Sequence, residues 1–176
     1  MNESESAADR AFRAEIRAWL EANLSGPFAH ARGLGGPGRE QVGLRRELDG
    51  VIGLARRTGA LGDPLLRDRL TRSHLGLEIM RLNAMRTMAG VAAGAPGPES
   101  SISKLVWGTW HRELGELAMD VLGAAGMVAD GEPYDLNDWQ RLFLFSRSDT
   151  IYAGSNEIQR NIIAGRVLGL PREARP

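Results

Sequence analysis

No cysteine occurs in the 176 residues, which excludes disulfides, thiolate catalysis and cysteine-ligated metals. Lysine is almost missing as well. Lys104 is the only one, so arginine carries the positive charge, and its planar fork suits bidentate pairing with carboxylates and phosphates. Neither sign of charge is in excess: Lys+Arg number 22 and Asp+Glu number 22, for a formal net charge of zero. The basic footprint of nucleic-acid binders and polybasic membrane anchors is therefore absent, and neither partner is expected. No apolar stretch approaches the length that spans a bilayer, and no basic N-terminal segment leads into an apolar run. The cytoplasm is the default compartment on that reading. The three histidines, His30, His74 and His111, lie far apart and form no ligand-spaced pair. Each reads as a surface or packing residue, and no metal site is expected.

Runs of alternating or β-branched residues are also lacking, which argues against strands. Hydrophobic residues instead recur at helical spacing, in a chain that is 43% hydrophobic and 25% charged, the balance of an ordinary globular protein. The length suits one compact domain with a real core. A first helix is predicted in "AADRAFRAEIRAWLEANLSGP", where Ala8, Phe12, Ile16, Trp19, Leu20 and Leu24 share a face that must bury against something, and Gly26-Pro27 ends it. A Gly/Pro-rich linker is expected over 27–40. Leu44, Leu48, Val51, Ile52 and Ala55 form a second stripe that closes near Gly59. Asp63-Pro64 then supplies an N-cap and a first-turn proline for a third helix, bearing Leu66, Leu70, Leu77, Met80, Ala84 and Met88. A fourth runs from about Ser100 to Gly123 through Ile102, Val106, Trp110, Leu114, Leu117 and Val121. With two shorter helices packed across these, the expected fold is all-α, an antiparallel helical bundle.

The C-terminal stretch "IYAGSNEIQRNIIAGRVLGLPR" raises the functional question. Ser155 or Asn156 can cap the last helix, whose first N–H groups have no internal partner. Gly154 lets another molecule approach the backbone closely, and Ile158, Ile162 and Val167 are expected to bury one side. By physics alone this is a capped helix.

The complete string closely resembles the C-terminal signature of the acyl-CoA dehydrogenase family, flavoenzymes that oxidise acyl-CoA thioesters across the α,β carbons. The resemblance extends to "SISKLVWGTWHRELGELAMDVLGAAGMV" and "LFLFSRSDT", and more loosely to "LRRELDGVIGLARRTGALGDPLLRDRL". It covers roughly 41–173 as a helical domain, while 1–26 resembles the family's first helix, so the chain looks like a member missing its middle. The resemblance implies FAD as cofactor, an acyl-CoA substrate, and fatty-acid-type chemistry in which a carboxylate takes the α-proton while FAD accepts the β-hydride. It places Tyr152, Ala153 and Gly154 against the thioester, and Ser155 and Glu157 against FAD. Asp120, Gly123 and Gly126 fall in the segment that approaches a flavin nucleotide held by a neighbouring subunit. Gly123 reads equally well as a helix C-cap.

Several positions depart from the family pattern. Where many members carry the catalytic glutamate, this chain has Ala153, which cannot accept a proton, so no catalytic base is assigned. Glu40 and Glu47 are the nearest carboxylates to the other family position of that base, and both read as solvated helix charges. Asp120 stands where an amide is common and brings a carboxylate towards an anionic nucleotide. Gly165 interrupts the last helix where glutamate is common, at about 1 kcal/mol relative to alanine. The arginine-phenylalanine segment with which many members grip FAD is not recognisable in "TRSHLGLEIMRLNAMRTMAG". Two functions follow: an FAD-linked acyl-CoA dehydrogenase whose site is completed elsewhere, or a non-catalytic bundle that pairs with itself or with a full-length acyl-CoA dehydrogenase subunit. A remnant without a role is the third reading.

Overall fold

A computed structural model describes residues 6–23, 37–94, 97–131 and 135–171. Among them are six α-helices: α1 (Ala7–Asn23), α2 (Pro37–Thr58), α3 (Pro64–Ala92), α4 (Ser103–Leu122), α5 (Asp138–Ser146) and α6 (Asn156–Ile162). No strand is present among the described residues; the nearest approach is an isolated bridge between Gly131 and Asp135. The all-α expectation holds. The chain divides into two compact units, Met1–Gly43 and Leu44–Pro176.

Local chemistry sets the helix ends. The Asp63 carboxylate accepts from the backbone N–H groups of Leu65 at 2.7 Å and Leu66 at 3.3 Å, with Pro64 at the first helical position. Both satisfy or remove N–H groups that the helix cannot pair internally. Asn137 and Gln140 form a reciprocal capping box at the start of α5. Gly123 ends α4 with a positive φ of 61°.

The core of the second unit lies where α2, α3, α4 and α5 meet. Leu48, Val51 and Ala55 of α2 pack with Leu70, Leu77 and Met80 of α3, with Leu114, Leu117, Ala118 and Val121 of α4, and with Leu142 of α5. Glycines allow the close approaches. A methyl group on Gly115 of α4 would stand 3.0 Å from the Phe143 Cα and 2.7 Å from the Ser146 Oγ of α5. Arg147, just past α5, fastens the same contact by donating to Glu116 Oε1 at 2.6 Å and to the Arg112 carbonyl at 2.8 Å. Trp110 of α4 lies over Gly76 of α3 and donates its indole N–H to the Ser73 carbonyl at 2.8 Å.

Three expectations need correction. α2 begins at Pro37, inside the expected linker over 27–40, because proline is a favoured first helical residue; the rest of that linker and His30 lie outside the described residues. Phe12, Ile16 and Trp19 of α1 are exposed, as are Met88 of α3 and Ile158 and Val167 near the C-terminus. Helical periodicity fixes which residues share a face, not what covers it. Gly165 does not simply weaken α6. The backbone widens there into a π-helical turn, Ile163–Val167, after which Gly169 turns away with a φ of 65°.

The close α4–α5 approach gives a direct test. Gly115→Ala should lower the unfolding free energy by about 1–3 kcal/mol through overpacking. Gly43→Ala, where a methyl would meet nothing within 4 Å, should raise it by about 0.5–1 kcal/mol. Chemical denaturation of both variants measures the contrast.

Candidate functional site

The turn 151–155 leaves α5 through a 3-10 turn, Ser148–Thr150, and enters α6. The backbone N–H groups of Ile151 and Tyr152 both donate to the Ser148 carbonyl at 2.9 Å. Ala153 then adopts a φ of 53° and Gly154 a φ of 92°. The left-handed region disfavours a residue with a Cβ, so Ala153 is held there at a cost of about 1–2 kcal/mol. Ser155 is the N-cap of α6: its hydroxyl accepts from the Ile158 N–H at 3.4 Å. Gln159 reaches back to donate to the Ala153 carbonyl at 3.3 Å. Glu157 is exposed, and its own backbone N–H and the Ser155 hydroxyl hold its carboxyl below the usual carboxylate range.

The first turns of α4 support this segment from beneath. Lys104 donates to the Asp149 carbonyl and places its ammonium 5.5 Å from the Tyr152 ring and 5.6 Å from the Trp107 ring. Trp107 meets Tyr152 edge to face. A methyl on Gly108 would stand 2.8 Å from the Asp149 carbonyl oxygen, so glycine is what lets the turn settle on the helix. Asn156 is buried and donates to Thr109 Oγ1 at 3.3 Å.

Beneath the turn sits a buried charge cluster. The Asp149 side chain is 0% exposed, and its Oδ2 bonds His111 Nδ1. His111 Nε2 pairs on the other side with Glu47 Oε2 of α2 at 2.9 Å. Trp107 and Trp110 stack near the imidazole at ring-centre distances of 6.2 and 6.5 Å. Burial pushes the imidazole pKa down, but the bonds to Glu47 and Asp149 outweigh it, and the net shift is upward from 6.5. Glu47 is therefore not merely a solvated helix charge, and His111 is a packing residue whose two polar bonds join α2 to the turn. A titratable residue beside Trp110 on the buried face of α4 was the sequence signal, since a buried imidazole needs partners.

The second set of expected residues lies elsewhere. Asp120, Gly123 and Gly126 mark the far end of α4, which at 1.5 Å per residue stands about 28 Å along the helix axis from Lys104. The chain thus does not bring the two sets together. Asp120 pairs with Arg69 of α3 at 2.5 Å, which offsets its carboxylate charge. Gly123 caps α4, and a methyl on it would meet nothing within 4 Å. The Gly126 carbonyl accepts from Gln140 at 3.0 Å. Among the described residues, no group of three or more acidic or histidine side chains could hold a metal, and no helix is long and apolar enough to cross a membrane.

Residues 26–168 match the model of the acyl-CoA dehydrogenase C-terminal domain. The chain belongs to the acyl-CoA dehydrogenase family. It is 59% identical over 137 residues to acyl-CoA dehydrogenase IpdE1 of Mycobacterium tuberculosis, covering 77% of this chain and 34% of that protein. The IpdE1 of Mycolicibacterium smegmatis is 55% identical over 136 residues, again 77% of this chain and 33% of the relative. Among solved structures it resembles the Tcur3481-Tcur3483 steroid ACAD, with a TM-score of 0.63 and 26% identity over 77% of this chain and 38% of that one. The ChsE4-ChsE5 complex from Mycobacterium tuberculosis matches at a TM-score of 0.54 and 26% identity, over 70% and 36% of the two chains. This acyl-CoA dehydrogenase chain spans about a third of the length of the curated relatives it matches.

The cluster predicts how stability responds to pH. Because the folded pKa of His111 lies above its unfolded value, the stabilisation is complete below about pH 6.5 and is lost as pH rises through the folded pKa. His111→Gln should cost about 3 kcal/mol at about pH 6, leaving Asp149 buried without its partner. The gap between variant and wild type should narrow towards about pH 9. Thermal unfolding across that range reads it.

Proposed function

We propose that this chain supplies the acyl-facing turn and the helical assembly surface of an FAD-linked acyl-CoA dehydrogenase whose catalytic base and flavin enclosure come from another acyl-CoA dehydrogenase polypeptide. The observation that carries the reading is the turn itself. It has a left-handed backbone at exposed Ala153, strained there, and at half-buried Gly154, of the kind a thioester contact calls for, with a methyl group where a proton acceptor would stand. Tyr152, propped by Lys104 and Trp107, would wall the acyl group. The similar Tcur3481-Tcur3483 steroid ACAD and ChsE4-ChsE5 complex support a two-component arrangement and, in the first case, a steroid substrate; the acyl group proposed here is accordingly one attached to a steroid-type ring system.

The residues present fit FAD. Ser155 and the ionised Glu157 offer polar contacts at the turn, while Gly123 exposes open backbone at the far end of α4 and Arg69 offsets the carboxylate of Asp120. FAD, when bound, would supply the hydride acceptor for oxidation of the acyl group. This chain's part is to orient the thioester and to close one side of the cleft to water. The separation of the two contact sets along α4 supports their serving different copies of the bound group.

A second reading, an assembly role without catalysis, is favoured by one feature of α3. Leu75, Ile79 and Leu82 form a stripe on the side opposite the buried Leu70 and Leu77, and they remain 54%, 62% and 53% exposed. A helix apolar on two faces expects cover on both.

Flavin absorbance distinguishes these outcomes. Purified alone, the chain should be colourless. Co-expressed with a full-length acyl-CoA dehydrogenase, it should yield a mixed yellow oligomer that bleaches on addition of a steroid acyl-CoA. A mixed oligomer that fails to bleach would favour the assembly role. A lone chain that is yellow and bleaches, or co-expression that yields only free monomer, would refute the proposal.

A further inference from the structure

The buried cluster beneath the turn includes Asp149, which directly precedes the segment leading into that turn, and the cluster's position raises a separate question. Asp149 is the last fully buried residue before the turn, and Lys104 of α4 reaches both its carbonyl and the Tyr152 ring. Its side chain bonds His111, its carbonyl accepts from Lys104, and it is flanked by Ser148, whose carbonyl receives both N–H groups that open the turn. Trp107 stands between imidazole and phenol, stacked near His111 and edge-on to Tyr152. Displacement of Asp149 must therefore be felt at 151–155.

We propose that His111 is a positioning residue for the acyl-facing turn, with Glu47 and Asp149 gripping its two ring nitrogens so that its protonation state sets how firmly 151–155 is held. The inference rests on the reading of that turn given above. In the imidazolium both nitrogens donate, one to Asp149 and one to Glu47. Neutral imidazole has a single N–H, so one carboxylate must lose its donor. Asp149, wholly buried, cannot turn to water, whereas the Glu47 side chain is 40% exposed and can. The proton consequently stays on Nδ1 and Glu47 lets go first. Asp149 is then left as a buried anion facing a neutral ring, with the Lys104 ammonium bonded to its carbonyl.

Among the described residues, Glu47 from α2 and Asp149 from the 3-10 turn are the charged groups that bear on the imidazole, and α4 adds Lys104 through the Asp149 backbone. Trp110 closes the side towards α3 by bonding Ser73 rather than by presenting a charge. Glu47 is the adjustable end of the chain of contacts. Being half-exposed, it can be neutralised without opening the core, which makes it the useful handle.

Proton-detected NMR of the full chain, without acyl-CoA or flavin, tests this. The His111 ring signals and the backbone amides of Tyr152, Ala153 and Gly154 should titrate with one midpoint, and exchange of the Ile151 and Tyr152 amides should accelerate above it beyond the intrinsic pH effect. Glu47→Gln should lower both midpoints together by about one unit. His111→Gln, if it folds, should abolish the titration of the turn. Turn amides that ignore the His111 midpoint, or a Glu47→Gln variant whose turn midpoint stays put, would overturn the proposal. Because no ligand is used, that failure would leave the acyl-CoA reading untouched, and a colourless mixed oligomer would leave this one untouched.

Discussion

A carboxylate with no exposed surface has to be held by something, and Asp149 is held by His111. Burial of an ion costs several kcal/mol unless a well-placed partner and further hydrogen bonds offset it. Here the partner lies on α4, and the imidazole is in turn braced by Glu47 from α2. One imidazolium thus ties together a long core helix, the chain leaving α5 and helix α2. The turn 151–155 inherits its position from that arrangement, because it begins two residues beyond the buried anion.

Helix α4 is the member that makes the rest possible. Small residues at Gly108 and Gly115 let backbone from two later segments lie against it, the 3-10 turn at Asp149 and α5 at Phe143. Its first turns carry the support for Tyr152, and its last turn carries Asp120 and Gly123. A rod about 30 Å long cannot fold those two ends onto one small group. A small group in contact with one end of α4 is therefore out of reach of the other.

Local chemistry was readable from the residues alone. The Asp63-Pro64 start of α3 and the stop of α4 at Gly123 follow from short-range bonding rules, and of the two candidate caps for α6, Ser155 and Asn156, the structure uses Ser155. Gly123 could be read as a cap or as an open approach, and its geometry is compatible with both. The cluster was not legible. Its members are separated by 64 and 38 positions, and no periodicity links a glutamate on one helix to a histidine on another. Single residues gave weak hints: a histidine next to a buried tryptophan, and a lone lysine at the start of α4. Burial of exposed stripes failed as an expectation for a related reason. The apolar spacing of Phe12, Ile16 and Trp19 is real, but the sequence names no partner for it.

The position of the turn depends on the energetic coupling between His111 and Asp149. A double-mutant cycle with His111→Gln and Asp149→Asn, measured by chemical denaturation at about pH 6, reads that coupling directly. The two changes should be non-additive by at least about 1 kcal/mol, since each single variant strands the other group in the interior. Additivity to within about 0.5 kcal/mol would contradict it, because the aspartate would then be held by something other than the imidazole.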